Sequence, residues 1–158
     1  NLNIKNDSIP NSGGTEINLN QIQNLQLKDE NDSLLSCDFI VDNHEKLVFI
    51  YELINCNTCI ESILNHLTIE YPFYKNRLIV ISKYNNPRDL YVFKRVNHFN
   101  GLVYNDQNAS IISKFQGKLP AFCIMKNGII SNIFYPDLNK IDLFEKYMSL
   151  VNDRLKNQ

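Results

Sequence analysis

Two cysteines spaced as Cys56-Asn57-Thr58-Cys59 are the residues of this chain best suited to chemistry, and the chemistry they suit is thiol–disulfide exchange. They stand between an apolar run, Lys46 to Tyr51, that reads as a buried strand and a segment in which Ile60, Ile63, Leu64 and Leu67 recur at helical spacing. At a helix N-terminus, unsatisfied backbone N–H groups and the positive end of the dipole stabilise a thiolate, the attacking species in exchange. Cys56 is therefore the expected nucleophile. Cys59 follows about one helical turn later, so it is placed to attack the Cys56 sulfur and release a mixed-disulfide partner. Glu52 and Glu61 are the nearby acids and the candidate proton acceptors, set against the ordinary reading of both as solvated glutamates. Two plainer readings of the cysteine pair stay open, a permanently closed bridge and half of a zinc site. Zinc usually takes four ligands as two close pairs, whereas Cys37, Cys123, His44, His66 and His98 are scattered singly, so no metal is expected.

The elements that must position the pair fit one α/β domain. The chain has 158 residues, 44% of them hydrophobic, with a formal net charge of −1, enough for one full core and with no basic field to attract nucleic acid. No apolar run approaches the roughly 20 residues that span a bilayer. Four cysteines are too few for a disulfide scaffold. Residues 1–15 are polar, contain Pro10 and Gly13-Gly14, and read as a flexible tether, leaving 16–158 as the domain. The absence of an initiator methionine at Asn1 gives the expectation of a mature form whose leader, and with it a membrane tether, has been removed.

Along the domain, Ile22 to Leu27 and Leu34 to Val41 flank a polar turn at Asp29-Glu30-Asn31-Asp32 and read as a β-hairpin-like extension. Leu47 to Tyr51 is the first central strand, and the helix after the dithiol is predicted to end near Glu70, before Pro72. Arg77 to Ser82 is unbroken in the way of parallel strands buried on both faces, which predicts a β-α-β unit. Pro87 opens a second helix with Leu90, Phe93 and Val96 on one face. Gly101 to Tyr104 is a short strand and Ala109 to Phe115 a short helix. Leu119 to Met125 and Ile129 to Phe134 form a hairpin about Lys126-Asn127-Gly128. A helix from Leu138 to Leu155 closes the chain with Ile141, Phe144, Met148 and Val151 inward.

With these residues in view, the chain resembles the thioredoxin superfamily. The dithiol is one signature, and Pro120-Ala121-Phe122-Cys123-Ile124-Met125-Lys126-Asn127-Gly128 looks like the second, the strand that starts at a cis-proline and ends at a Lys-Asn-Gly turn. Sixty-four positions separate Cys56 from Pro120, room for the extra strand and helix of TlpA/ResA-type reductases. Leu102 to Asp106 with Ala109 to Phe115 looks like that insert's strand, acidic turn and helix. The resemblance implies a thioredoxin-like fold, a central mixed sheet of four or five strands flanked by helices. It also implies that Pro120 and Leu119 shape a groove for an extended substrate, together with Asn55, Asn57 and Thr58 around the cysteines. No cofactor is implied, because the dithiol stores the electrons. The implied partners are protein thiols or disulfides and a second oxidoreductase that resupplies electrons, in an exported, periplasmic or membrane-anchored setting.

The chain departs from that pattern at several positions. Asn55 stands where the superfamily usually has tryptophan, Asn57-Thr58 lacks the spacer proline, and the buried carboxylate that assists proton transfer falls near Ile50, which cannot titrate. Those departures keep a second reading in view, a thioredoxin-fold binding module whose dithiol is structural or a relic. A peroxidase reading is weaker, since the threonine and proline normally shortly before a peroxidatic cysteine are absent. Cys123, in an apolar strand, reads as a small hydrophobe. Cys37 lies in the N-terminal strand region, and a Cys37 to Cys123 bridge stays open.

Overall fold

Five consecutive residues, Lys46–Ile50 (β3), set the architecture, because both of their alternating faces are apolar and both become buried. The computed structural model describes residues 15–36, 41–55, 57–74 and 77–156. Two short strands, Ile17–Asn18 (β1) and Leu27–Lys28 (β2), precede β3. After it come Asn57–Glu70 (α1), Ile79–Ser82 (β4), Pro87–Val96 (α2), Leu102–Asp106 (β5), Ala121–Lys126 (β6), Ile129–Phe134 (β7) and Ile141–Lys156 (α3). The sheet order is β1-β7-β6-β3-β4-β5-β2. β3, β4 and β5 run parallel to one another, and β6 returns antiparallel on the other side of β3.

Leu47 and Phe49 face the core that α1, α2 and α3 cover. There Phe49 stacks on Phe122 with centroids 4.6 Å apart, and Phe134 stacks on Tyr147 at 4.7 Å. Val48 and Ile50 face a second core, closed by the N-terminal segment and the 3-10 turn Ile112–Phe115. Ile60, Ile63, Leu64 and Leu67 are the buried stripe of α1, at the spacing that predicts them. Asn127 and Gly128, at φ 51° and 73°, make the β6–β7 turn in the left-handed region that an Asn-Gly pair tolerates. Arg154 holds α3 to the sheet margin through a two-point bond to Glu45, with both contacts 2.6 Å.

The N-terminal extension differs from the sequence expectation in its extent. A hairpin-like turn is present, with Asp29 N–H donating to Ser33 O at 3.0 Å and Leu35 N–H to Leu27 O at 2.8 Å, but Ile22 to Gln26 is not strand. β1 and β2 lie at opposite edges of the sheet, against β7 and β5, so the segment crosses the second core from edge to edge. Its apolar residues, Leu19, Leu27 and their neighbours, alternate irregularly because they cover a face instead of extending a ladder. Cys37 and half of the expected strand 34–41, like the expected tether apart from Thr15, lie outside the described residues.

Two helical residues expected inward are exposed. Val96 is 59% exposed, because successive three-residue steps from Leu90 each turn back about 60°, carrying Val96 off the buried stripe. Ile141 begins α3 and stays at the open end, while Tyr147, which the spacing from Phe144 also permits, is buried. The short helix expected over Ala109 to Phe115 is regular only at Ile112–Phe115.

Buried polar groups fasten the C-terminal ends of the parallel strands. Asp106, fully buried, accepts from Ser110 N–H at 2.9 Å, Ile111 N–H at 2.8 Å and Ile112 N–H at 2.9 Å. Burial pushes its carboxyl pKa up, against the pull of these backbone donors. Asp106→Ala is expected to destabilise the fold by about 3 kcal/mol in a urea titration, because three backbone donors lose their acceptor. Tyr74 presents the opposite case, a buried hydroxyl with no hydrogen-bond partner among the described residues, its pKa pushed up to about 12 chiefly by burial. Tyr74→Phe is expected to leave stability unchanged or raise it by about 1 kcal/mol. A clear fall in the thermal midpoint would show that the hydroxyl has a partner.

Candidate functional site

Strand register brings the two signature segments to one end of the sheet. Ile50 at the end of β3 pairs with Ala121 at the start of β6, so the residue before Ala121, Pro120, lies level with the loop that leaves β3. The Leu119–Pro120 peptide bond is cis. From β3 the chain makes a turn in which Asn55 N–H donates to Glu52 O at 2.9 Å, and then enters α1 at Asn57. Cys56, between Asn55 and the helix, lies outside the described residues.

Asn55 joins these pieces. Its Oδ1 accepts from Glu52 N–H at 2.7 Å, and its Nδ2 donates to the Leu119 carbonyl at 3.1 Å. One carboxamide thus closes the turn before the dithiol and fastens it to the residue that precedes Pro120. Asparagine supplies an acceptor and a donor at once, which a tryptophan in this position would not. Leu119 itself is buried in the second core, while Pro120 is half-buried. Asn57 and Thr58 are exposed on the first turn of α1, and Cys59 beside them is partly exposed.

The two candidate proton acceptors lie apart in exposure. Glu52 is half-buried in the turn and Glu61 is exposed on α1. Ile50, at the place of the expected buried carboxylate, is fully buried. Beneath the turn, the Tyr51 and Tyr84 rings meet edge to face with their hydroxyls hydrogen-bonded to each other. Ser82 Oγ donates to the Tyr51 carbonyl at 2.7 Å, and Asn105 holds the Tyr84 backbone through two bonds, 2.8 and 3.1 Å. Sequence reasoning passed over this tyrosine pair. The available signal was a tyrosine just past the end of each of two adjacent apolar strands.

Cys123 is a free thiol, fully buried, 3.7 Å from the Val48 carbonyl, and burial pushes its pKa far up. It is a core residue and takes no part in a bridge to Cys37. Among the described residues no group of three His, Cys, Asp or Glu side chains gathers as a metal site, and no helix is long and apolar enough to cross a membrane.

No family model matches the chain, and no curated protein matches it in sequence. Solved structures do. A thioredoxin-like protein from Porphyromonas gingivalis superposes with a TM-score of 0.61 at 20% identity, over 84% of this chain and 93% of that one. The fold is thioredoxin-like. A secreted disulfide oxidoreductase of Mycobacterium tuberculosis follows with a TM-score of 0.54 at 11% identity, over 78% of this chain and 94% of that one. The bacterioferritin comigratory protein of Xanthomonas campestris, described for alkyl peroxide reduction, gives 0.58 at 10% identity, over 82% and 91%. Helix α2, between β4 and β5, packs on the same face of the sheet as α1 and α3.

Asn55→Ala removes both the acceptor for Glu52 and the donor to Leu119, and is expected to cost about 1 to 2 kcal/mol in urea unfolding. Asn55→Asp keeps the acceptor but sets a carboxylate oxygen against the Leu119 carbonyl, so it is expected to cost no less than the alanine change. Wild-type stability in both variants would remove the carboxamide from its place as the link between the two segments.

Proposed function

We propose that this protein exchanges thiols and disulfides with protein substrates, in the reducing direction, through Cys56 and Cys59. The observation that carries the reading is the junction at one sheet end. A partly exposed Cys59 on the first turn of α1 follows a loop that Asn55 ties to the Leu119-Pro120 segment. The Cys56 thiolate attacks one sulfur of a substrate disulfide, the substrate S–S bond breaks, and the first substrate thiol leaves with a proton from solvent. Cys59 then gives up its proton and attacks the Cys56 sulfur. The mixed disulfide breaks, the second substrate thiol leaves, and the Cys56–Cys59 bond holds the two electrons' worth of oxidation. Glu52, the half-buried acid of the turn, and Glu61 are the groups proposed to receive the Cys59 proton. A partner oxidoreductase dithiol returns the pair to the reduced state.

The reading places the protein outside the cytoplasm, exported or held to a membrane facing the periplasm. The likeness to a secreted disulfide oxidoreductase supports that setting.

Two observations favour a binding module instead. The Leu119 carbonyl, which an extended substrate would use, is engaged by Asn55, and Ile50 offers no proton acceptor. A glutathione redox titration with thiol trapping and mass spectrometry decides between the two. A reversible Cys56–Cys59 midpoint between about −120 and −270 mV supports exchange, and a bridge that stays closed below about −300 mV supports the module. Under the exchange reading, Cys56→Ser is expected to abolish disulfide reduction, and Cys59→Ser to accumulate mixed disulfides with substrate. Full activity in both variants would overturn it.

A further inference from the structure

A groove of about 330 Å³ opens between the loop after β3, the first turns of α1 and helix α2. Tyr51 and Tyr84 form its floor, and Leu53, Val92, Phe93 and Val96 its apolar wall. Leu53, Val92 and Val96 remain 47%, 45% and 59% exposed, and Ile54 next to them 87%. Val92 and Val96 are one turn apart on the face of α2 turned from the core, where an amphipathic helix ordinarily carries polar residues. Asn57, the neighbour of Cys56 in the chain, also lines the groove, which puts this apolar surface at the reacting end of the fold.

The charge of the groove is one-sided. Its charged lining residues are Glu61 and Asp89, both exposed. Glutathione, small and carrying two carboxylates, meets there two like charges and a surface it cannot cover. A protein segment with an apolar residue beside a cationic one meets complementary chemistry in both parts, the side chain on the valine wall and the cation at the acidic rim.

We propose that this groove is a specificity subsite of the exchange reaction, taking a leucine-sized side chain that is adjacent, in a protein substrate, to a lysine or arginine near the reacting cysteine. The proposal rests on the dithiol reading above. The wall sets the affinity for the apolar side chain, and Glu61 with Asp89 selects the charge beside it, an effect that salt screens.

The test uses three peptides that differ only beside their single cysteine, with Leu-Lys, Leu-Glu or Gly-Lys there. Each peptide is made as a mixed disulfide with thionitrobenzoate. The reduced protein becomes the Cys56–Cys59 disulfide as it releases one peptide thiol and one coloured thionitrobenzoate, so second-order rates are read directly. The Leu-Lys peptide is expected to react about tenfold faster than Gly-Lys. It is expected to react about fivefold faster than Leu-Glu at low salt, with that ratio shrinking at high salt. Asp89→Lys is expected to abolish or invert the Lys-over-Glu ratio, and Val92→Asp to abolish the Leu-over-Gly ratio. Both residues are exposed, and ratios within one variant are insensitive to a general loss of rate. Equal rates for the three peptides with the wild-type protein, or ratios that neither substitution changes, overturn the subsite while leaving exchange in place. If the wild-type protein releases no thionitrobenzoate even from the free aromatic disulfide, the dithiol reading fails and the subsite falls with it.

Discussion

Everything at the site depends on the burial of β3 on both faces. Lys46–Ile50 pairs in parallel with β4 and antiparallel with β6, so the same strand sets the direction of the chain entering α1 and the height at which Pro120 stands. The constraint is strong because a shift of one residue would exchange Leu47 and Phe49 for Val48 and Ile50, turning the Phe49 ring into the smaller core and leaving Val48 in place of a ring at the aromatic stack. Register on both sides of β3 is therefore fixed by side-chain volume. The loop after Ile50 inherits that position.

The loops beyond the strand ends are held by polar groups instead. Ser82, Asn105 and Asp106 are buried polar residues at the ends of β4 and β5, and each bonds backbone of a neighbouring segment. Asn55 does the same for the turn before the dithiol. Such bonds cost little when complete and a great deal when one partner is lost, which makes these ends well defined without adding apolar bulk. The consequence is a rigid floor, the Tyr51–Tyr84 pair, under a rim of exposed Leu53, Ile54, Val92 and Val96. A fastened floor beneath an uncovered apolar rim is the arrangement expected where a partner chain completes the surface.

The central elements were legible because local pattern and tertiary demand agree in them. Helix α1 ends at Glu70, ahead of Pro72, and its four spaced apolar residues are the buried ones. The apolar runs of β3 and β4 need cover on both faces, and a helix between them in sequence leads to parallel pairing. The Asn127-Gly128 turn declares itself through residues that tolerate positive φ. Agreement weakened where a residue's neighbour comes from far along the chain. The N-terminal extension reads as a hairpin, and Lys28 does bridge Leu34, yet β1 and β2 also find sheet partners 113 and 79 positions away, in β7 and β5, because those sheet edges offer unpaired backbone. Val96 fits a buried stripe by three-residue spacing, yet the helical turn carries it off the face that Leu90 and Phe93 turn to the core.

The amino-acid sequence by itself determined the α/β class, the order of the central elements, and the presence of a Cys-x-x-Cys ahead of a helix and a Pro-to-Gly strand behind it. These follow from periodicity and from residue types with narrow backbone preferences, which act over a few positions. Tertiary structure decided what lies opposite what. The bond from Asn55 to the Leu119 carbonyl spans 64 positions, and the groove joins Tyr51 and Leu53 after β3, Glu61 on α1, and Asp89 with Val92 and Val96 on α2, three separate segments. Contacts of that kind arise from sheet register and helix placement, which are set when two cores are filled at once, and no local pattern encodes them.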